Sequence, residues 1–296
     1  MNQENQNNRS TQDDEYSGVL IKAFCQFFNY LGKKINKIHI SPAAAVVTVS
    51  VLVLMSFIGI KYIFYNNTDS SSIFPASQTD RELPIYCVQT DEPKVALTFD
   101  AAWGNEDTQT IMEILRKHDV KVTFFMTGGW VESYPEDVKL ILSEGHDLGN
   151  HSENHKNMSQ LSNSDKKNEL MTVHDKVKNL TGYDMFLFRP PYGDYDNEVI
   201  RVAKECGYYP IQWDVDSLDW KDYGVDSIIK TVTQHKHLGN GSIILCHNGA
   251  TYTAKALDTL ISTLKDAGYT FVPLSQLIYT ENYHMDHEGR QIPEKK

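Results

Sequence analysis

Residues 95–104 read VALTFDAAWG, an apolar run that delivers one carboxylate at Asp100 and breaks at Gly104. A short run rich in apolar, β-branched and aromatic residues is typical of a buried strand. Similar runs occur at 121–128, 146–152, 185–191, 209–216, 242–248 and 270–274. Longer segments with helical periodicity separate them, which predicts parallel strands joined by crossover helices. Seven such strands favour an α/β fold with a closed or nearly closed barrel, with an open sheet as the alternative.

The N-terminal part of the chain has a different composition. Residues 41–60 carry no charged side chain, and the apolar run resumes after Lys61. About 20 apolar residues are enough for a helix to cross a bilayer, and lysines mark its cytoplasmic side. Lys33, Lys34 and Lys37 precede the segment, whereas only Lys61 follows it closely. We therefore predict a single-pass transmembrane helix at 41–65, with residues 1–40 cytoplasmic and the rest of the chain outside the cell membrane.

The remaining chain divides into three parts. Residues 66–92 are rich in Ser, Asn, Asp and Thr and predict an extracytoplasmic linker. Residues 93–280 carry the alternating pattern and predict one domain, and residues 281–296 predict a polar C-terminal tail. The formal net charge of −11 argues against nucleic acid as a partner, because nucleic-acid binding needs a basic face.

Ionisable side chains recur where the predicted strands end. In a fold of parallel strands the site of chemistry lies at their carboxyl ends. Five of the predicted strands end in such groups, which are Asp100, His151, Arg189, the pair Asp214 and Asp216, and His247. One polar strand end would be unremarkable, but five at the same end predict a single site.

The stretch HSENH places His151 and His155 four residues apart. On a helical turn this spacing puts two side chains on one face, and it is the spacing of zinc-binding histidine pairs. A catalytic zinc ion takes three protein ligands and one water, so the pair needs a third ligand.

Acid–base groups accompany this pair. Asp100 suits a general base, and His247 suits the matching general acid because imidazole titrates near neutral pH. Arg189 can hold Asp100 ionised, and Asp219 is the best candidate to orient His247. For Asp214 and Asp216 we predict supporting or structural roles. Such a base and acid together are what hydrolysis of an unactivated amide requires.

The motifs in order are TFDA (98–101), HSENH (151–155), RPPYG (189–193), DVDSLDW (214–220) and LCH (245–247). Over about residues 94–277 the chain resembles the polysaccharide deacetylases of carbohydrate esterase family four, the NodB-homology domain. The resemblance implies a distorted (β/α)7 barrel and removal of acetyl groups from N-acetylglucosamine units, or O-acetyl groups from other sugars. It implies a divalent metal, zinc first and cobalt as an alternative. DVDSLDW is especially similar to peptidoglycan N-acetylglucosamine deacetylases, which suits a cell-wall glycan partner and a Gram-positive cell surface.

The resemblance also implies a role for individual residues. Asp100 would be the catalytic base tuned by Arg189, and His247 the general acid oriented by Asp219. His151 and His155 would be metal ligands. The backbone N–H of Tyr192 would help to hold the oxyanion, and Trp220 and Leu245 would form the wall of the acetyl pocket.

One position departs from the family pattern. The family has two consecutive aspartates in its first motif, the second being the third metal ligand, and this chain has Ala101 there. Water, Asp100, Asn150 or Glu106 are alternatives for that ligand position. We expect a metal-dependent deacetylase that binds its metal weakly. An inactive carbohydrate-binding relative and an O-acetyl esterase are the alternatives.

Overall fold

The computed structural model describes residues 81–294. The predicted cytoplasmic segment, the predicted transmembrane helix at 41–65 and most of the predicted linker lie outside this range. Within it, every helix is too short or too polar to span a bilayer.

Strands and helices alternate along the described chain. The strands are β1 (Cys87–Val88), β2 (Lys94–Ala101), β3 (Thr123–Met126), β4 (Asp147–Asn150), β5 (Leu187–Phe188), β6 (Tyr209–Pro210), β7 (Val215–Asp216), β8 (Ile243–His247), β9 (Thr270–Phe271), β10 (Tyr283–Met285) and β11 (Arg290–Pro293). The helices are α1 (Thr108–Lys117), α2 (Gly128–Ser133), α3 (Pro135–Ser143), α4 (Asn163–Thr181), α5 (Asn197–Glu205), α6 (Val225–Thr233), α7 (Thr253–Asp266) and α8 (Leu274–Leu277). Side chains of Thr127, Ser162 and Asp196 cap α2, α4 and α5 by accepting a backbone N–H.

The main sheet is parallel, with strand order β6-β5-β4-β3-β2-β8-β7, and β9 pairs with the start of β2. Its two outer strands, β6 and β7, are only five residues apart in the chain. A flat sheet of seven strands is about 29 Å wide, whereas five residues reach at most about 17 Å. The sheet must therefore curl until its edges approach each other. The fold is an α/β half-barrel of parallel strands, as the strand–helix alternation predicts.

The stretch 209–216 is a correction to the predicted strands, because it forms two strands rather than one. Its first half pairs with β5 and its second half with β8, at opposite edges of the sheet. Between them the Gln212 N–H donates to Ile85 O, and the Asp214 N–H donates to Ile243 O. The segment crosses the gap between the sheet edges, and a continuous apolar run does not reveal that crossing.

Strand β2 presents different chemistry on its two faces. Its side chains alternate in direction, as in any strand. Leu97, Phe99 and Ala101 belong to the large hydrophobic cluster that includes the helices, and Ala101 is fully buried. Thr98 and Asp100 face the other way, into the barrel. The predicted base and the alanine beside it therefore lie on opposite faces of one strand.

The ends of the described chain are paired with each other. β1 pairs in parallel with β11, and β10 pairs with β11 in antiparallel fashion. Residues from the predicted linker and from the predicted polar tail thus form a second, three-stranded sheet.

Candidate active site

Asp100 and His247 occupy paired positions of neighbouring parallel strands. In the register of β2 and β8, Asp100 lies opposite His247, and on the other side Asp100 lies opposite Phe125 of β3. Paired residues of a sheet point to the same face. The fold therefore brings the predicted base and the predicted acid to one face at the carboxyl end of the sheet.

Arg189 follows β5 directly and is fully buried. Its Nη1 donates to Asp100 Oδ1 over 2.7 Å, and its Nη2 donates to Gln212 O. The guanidinium stacks on the Phe125 ring, 4.2 Å from its centroid. Burial raises the pKa of Asp100, but the charge of Arg189, aided by His151 and His247, outweighs burial and holds that pKa below its ordinary value. Asp100 is consequently ionised at neutral pH.

His247 is held by Asp219, which is fully buried. Asp219 Oδ1 lies 2.7 Å from His247 Nδ1, and Asp219 Oδ2 accepts the His247 backbone N–H and the Thr253 hydroxyl. Because a carboxylate only accepts, Nδ1 carries the proton and Nε2 faces the site. Burial lowers the pKa of His247, but the hydrogen bond and charge of Asp219 more than compensate and raise it above the ordinary value.

We predict that Asp219→Asn lowers the pKa of His247, because the hydrogen bond and charge that most oppose burial are removed and only the weaker effects of Asp100 and Asp216 are left. A histidine with a raised pKa adds stability below its unfolded-state pKa, and that contribution is lost as pH rises through the folded-state pKa. The free energy of unfolding of the wild type should therefore decline above about pH 6.5 as His247 loses its proton. The variant should not show this decline. NMR titration of the His247 ring protons measures the shift. Asp216→Asn is the matched control, and an equal shift in that control contradicts the pairing.

His151 and His155 lie on a loop and not on the helical turn that their spacing suggested. Ser152 and His155 take left-handed backbone conformations, with φ of 64° and 53°. The two reversals still bring the imidazole rings together, with centroids 4.9 Å apart. The predicted pair is thus assembled by a different backbone.

The loop is held by helix α4, a support that the motifs do not reveal. Glu169 of α4 accepts the Asn154 backbone N–H over 2.7 Å and its side-chain amide over 2.9 Å. Lys156 forms an ion pair with the same carboxylate, and Lys176 of α4 pairs with Glu153. Left-handed residues other than glycine are costly, so these contacts maintain the loop that presents His155.

The hydrogen bonds of His151 define its tautomer. Its Nδ1 lies 2.8 Å from the carbonyl oxygen of Arg189, so Nδ1 carries the proton. Its Nε2 is left as a lone pair, 3.6 Å from Asp100 Oδ2. Burial lowers the pKa of His151 to about 4, although Asp100 partly opposes this. A neutral imidazole with this tautomer has the arrangement of a metal ligand.

A cavity of about 480 Å³ opens above these groups. Its lining includes the predicted residues Tyr192, Trp220 and Leu245, and also Trp103, Trp213 and Asp216. The backbone N–H of Tyr192 makes no hydrogen bond to a residue within 81–294. Asp214 lies elsewhere, since its carboxylate accepts from Ile243 N and Ser242 Oγ at the start of β8. These hydrogen bonds suit the supporting or structural role predicted for Asp214. Trp103 and Trp213 were not among the predicted site residues.

Known proteins with similar sequences include polysaccharide deacetylases. The family model described as polysaccharide deacetylase matches residues 88–211. A peptidoglycan-N-acetylglucosamine deacetylase from Bacillus cereus is 34% identical over 219 residues, covering 72% of this chain and 78% of that protein. The chain belongs to the polysaccharide deacetylase family. A Bacillus subtilis member, the peptidoglycan-N-acetylmuramic acid deacetylase PdaA, is 33% identical over 208 residues, 68% of this chain and 77% of PdaA.

A solved structure from the same family is also similar. It is a CE4 family pseudoenzyme from Bacillus anthracis, 33% identical, with a TM-score of 0.64, covering 71% of this chain and 70% of that chain. A mutant of that pseudoenzyme has restored enzymatic activity. Polysaccharide deacetylases similar to this chain thus include both active enzymes and a pseudoenzyme.

The described residues offer an incomplete set of metal ligands. No group of three or more His, Cys, Asp or Glu side chains within residues 81–294 is arranged to hold a metal ion. His151 and His155 supply two imidazoles, and Ala101 supplies no donor. The residues present therefore do not fit a three-ligand metal centre.

The alternatives for the third ligand differ in availability. Asn150 is fully engaged, since its amide donates to Leu170 O and Tyr208 OH and its Oδ1 accepts from Ser152 N. Glu106 is exposed, and its carboxylate packs against Gly104. Asp100 is better placed than these two residues, because its Oδ2 lies 3.6 Å from Nε2 of the predicted metal ligand His151.

Proposed function

We propose that this chain removes N-acetyl groups from N-acetylglucosamine units of cell-wall glycans. The observation that carries the proposal is the pairing of Asp100 with His247 across β2 and β8, each held by its own buried partner, Arg189 and Asp219. A chain that used these residues only for packing would have no need of two separate charged pairs opening on one cavity.

The proposed reaction uses groups of this chain in named roles. Asp100 accepts a proton from the attacking water, whose oxygen adds to the acetyl carbonyl carbon. The Tyr192 N–H stabilises the oxyanion, and the C–N bond breaks as His247 protonates the leaving amine. Acetate and a glucosamine unit are the products. Arg189 keeps Asp100 ionised, but the same charge weakens it as a base, because a base works best with a pKa near the working pH.

Acetate release tests this function. Purified protein is incubated with peptidoglycan or chitin oligosaccharides, with no added metal and with added Zn²⁺ or Co²⁺. Two imidazoles without a third protein ligand should hold a divalent ion weakly, so we expect release that rises with added metal. His247→Ala is the matched control, with an expected loss of about 100-fold or more. Acetate release only from muramic acid residues would change the proposed sugar. No acetate release with either metal or without metal would refute the proposed hydrolysis.

Ala101 supports a second candidate, a carbohydrate-binding pseudoenzyme, because the three-ligand donor set is incomplete. The similar pseudoenzyme from Bacillus anthracis gives this candidate a precedent in the family. It predicts glycan binding without acetate release, and binding that Asp100→Ala barely changes. An O-acetyl esterase stays a third possibility, tested by offering acetylated xylan in the same assay.

We also propose that the folded part acts outside the cell membrane, anchored by residues 41–65. The support is the uncharged segment and the lysines that precede it. Protease added to intact protoplasts should digest the folded part while a cytoplasmic marker survives. Protection of the folded part equal to that of the marker would refute this orientation.

A further inference from the structure

Large apolar side chains are exposed mainly around the site cavity. Among residues 81–294 the exposed members are Trp103, Tyr192, Trp220 and Tyr223. The first three line the cavity, and Tyr223 does not. Exposed aromatic residues gathered at one cavity indicate a binding surface more than chance exposure does. Trp103 stands apart from the others because it lies outside the motif residues with predicted roles.

The backbone of Trp103 is fixed on both sides. Before it, Ala101 O accepts the Thr127 N–H over 3.1 Å. After it, Gly104 O accepts both Trp130 Nε1 and Asn248 Nδ2, at 3.2 and 3.1 Å. The backbone of the loop that carries the indole is therefore held in place and does not need to be ordered when a ligand binds.

The indole lies between the two sides of the site. Its ring centroid is 5.8 Å from that of His247 and 6.1 Å from that of His155. The residue is 53% exposed, and its indole N–H makes no hydrogen bond to any residue within 81–294. Packing for stability would bury the ring, whereas Trp103 is exposed and lines the cavity.

From this placement we infer that Trp103 is a stacking platform for a pyranose ring of the glycan and sets affinity for the sugar beside His247. A pyranose has a face of C–H groups and a rim of hydroxyls, so an aromatic ring with one open face suits it. This inference rests on the proposed function, in which the cavity binds an N-acetylated glycan. It adds that sugar affinity comes from an apolar face and not from a metal.

The experiment measures binding of tetra-N-acetylchitotetraose to EDTA-treated protein by calorimetry, with thermal melting of each variant alongside. Trp103→Ala should weaken binding about 10-fold or more, because the loss of a stacking face costs at least about this much. Trp103→Phe should keep most of the affinity. Tyr223→Ala is the matched control for an exposed aromatic outside the cavity, and it should change binding less than about 2-fold. In acetate release, Trp103→Ala should raise KM and change kcat little.

The outcomes separate this inference from the proposed function. Equal binding by the wild type and Trp103→Ala overturns the stacking role while leaving the deacetylase proposal intact. Weak binding by Trp103→Ala with a lowered melting temperature and no rescue by Trp103→Phe shows a structural role, which also overturns it. No binding and no acetate release by the wild type would overturn both.

Discussion

Replacing Ala101 with aspartate should destabilise the metal-free protein and make its stability depend on Zn²⁺. Ala101 is fully buried and belongs to the hydrophobic cluster, on the face of β2 opposite to Asp100. A carboxylate added there enters an apolar cluster, and burying such a group costs several kcal/mol unless it is paired. We expect a loss of about 2 kcal/mol, or about 4–8 °C in melting temperature for a domain of this size. Ala101 lies level with Met126 and Asn150 at the carboxyl end of the sheet, directly before His151, so a Zn²⁺ ion that pairs with the new carboxylate should recover this loss.

The comparison of Zn²⁺ effects decides whether the rest of the site is competent. The wild type, with two imidazoles, should shift little when Zn²⁺ is added. Ala101→Asp should bind Zn²⁺ at least about 100-fold more tightly than the wild type. Loss of a residue that only supports a metal ligand costs up to about 100-fold in affinity, and gain of a direct ligand should have at least that effect. Ala101→Asn is the control, with a similar size but no charge, and it should be destabilised without recovery. A wild type that binds Zn²⁺ as tightly as the variant would contradict the weak metal binding expected of a chain with Ala101.

Asp100→Asn should abolish activity and weaken the fold together. The change removes the proposed base, which is worth about 10²–10⁴-fold in rate. It also leaves the buried Arg189 guanidinium without its charge partner, and breaking such a pair costs about 3–5 kcal/mol. Chemical denaturation and acetate release measure the two effects separately.

A double variant separates the base from its structural role. Asp100→Leu combined with Arg189→Met replaces the ion pair with apolar side chains, which is often neutral for stability. We expect stability near that of the wild type and no activity. If the double variant were as unstable as Asp100→Asn, the unpaired charge would not be the cause of the instability.

The sequence predicted the parts of this site that follow from strand ends. Asp100, Arg189 and His247 each end or directly follow a strand of the parallel sheet, and parallel strands place their carboxyl ends together. The pairing of Asp219 with His247 was also expected. These contacts depend on the fold topology, which can be inferred from the alternation of apolar runs with segments of helical periodicity.

Other features depend on contacts between distant segments. Residues 209–216 cross between the sheet edges, and Ile85, far earlier in the chain, pairs with the crossing segment. The Ile85 N–H donates to Pro210 O, and Ile85 O accepts the Gln212 N–H. The HSENH loop takes two left-handed residues because Glu169 and Lys176 of α4 hold it. In the sequence Trp103 looks like an ordinary apolar residue. Only the structure shows that it lies beside His155 and His247. No local pattern encodes such partners.

Because β1 pairs with β11, the same small sheet holds both ends of the folded part in place. Removal of residues 290–293 would deprive Cys87 and Val88 of their ladder, and removal of β1 would leave β11 an edge without its parallel neighbour. A shortened version of this protein should therefore keep both ends.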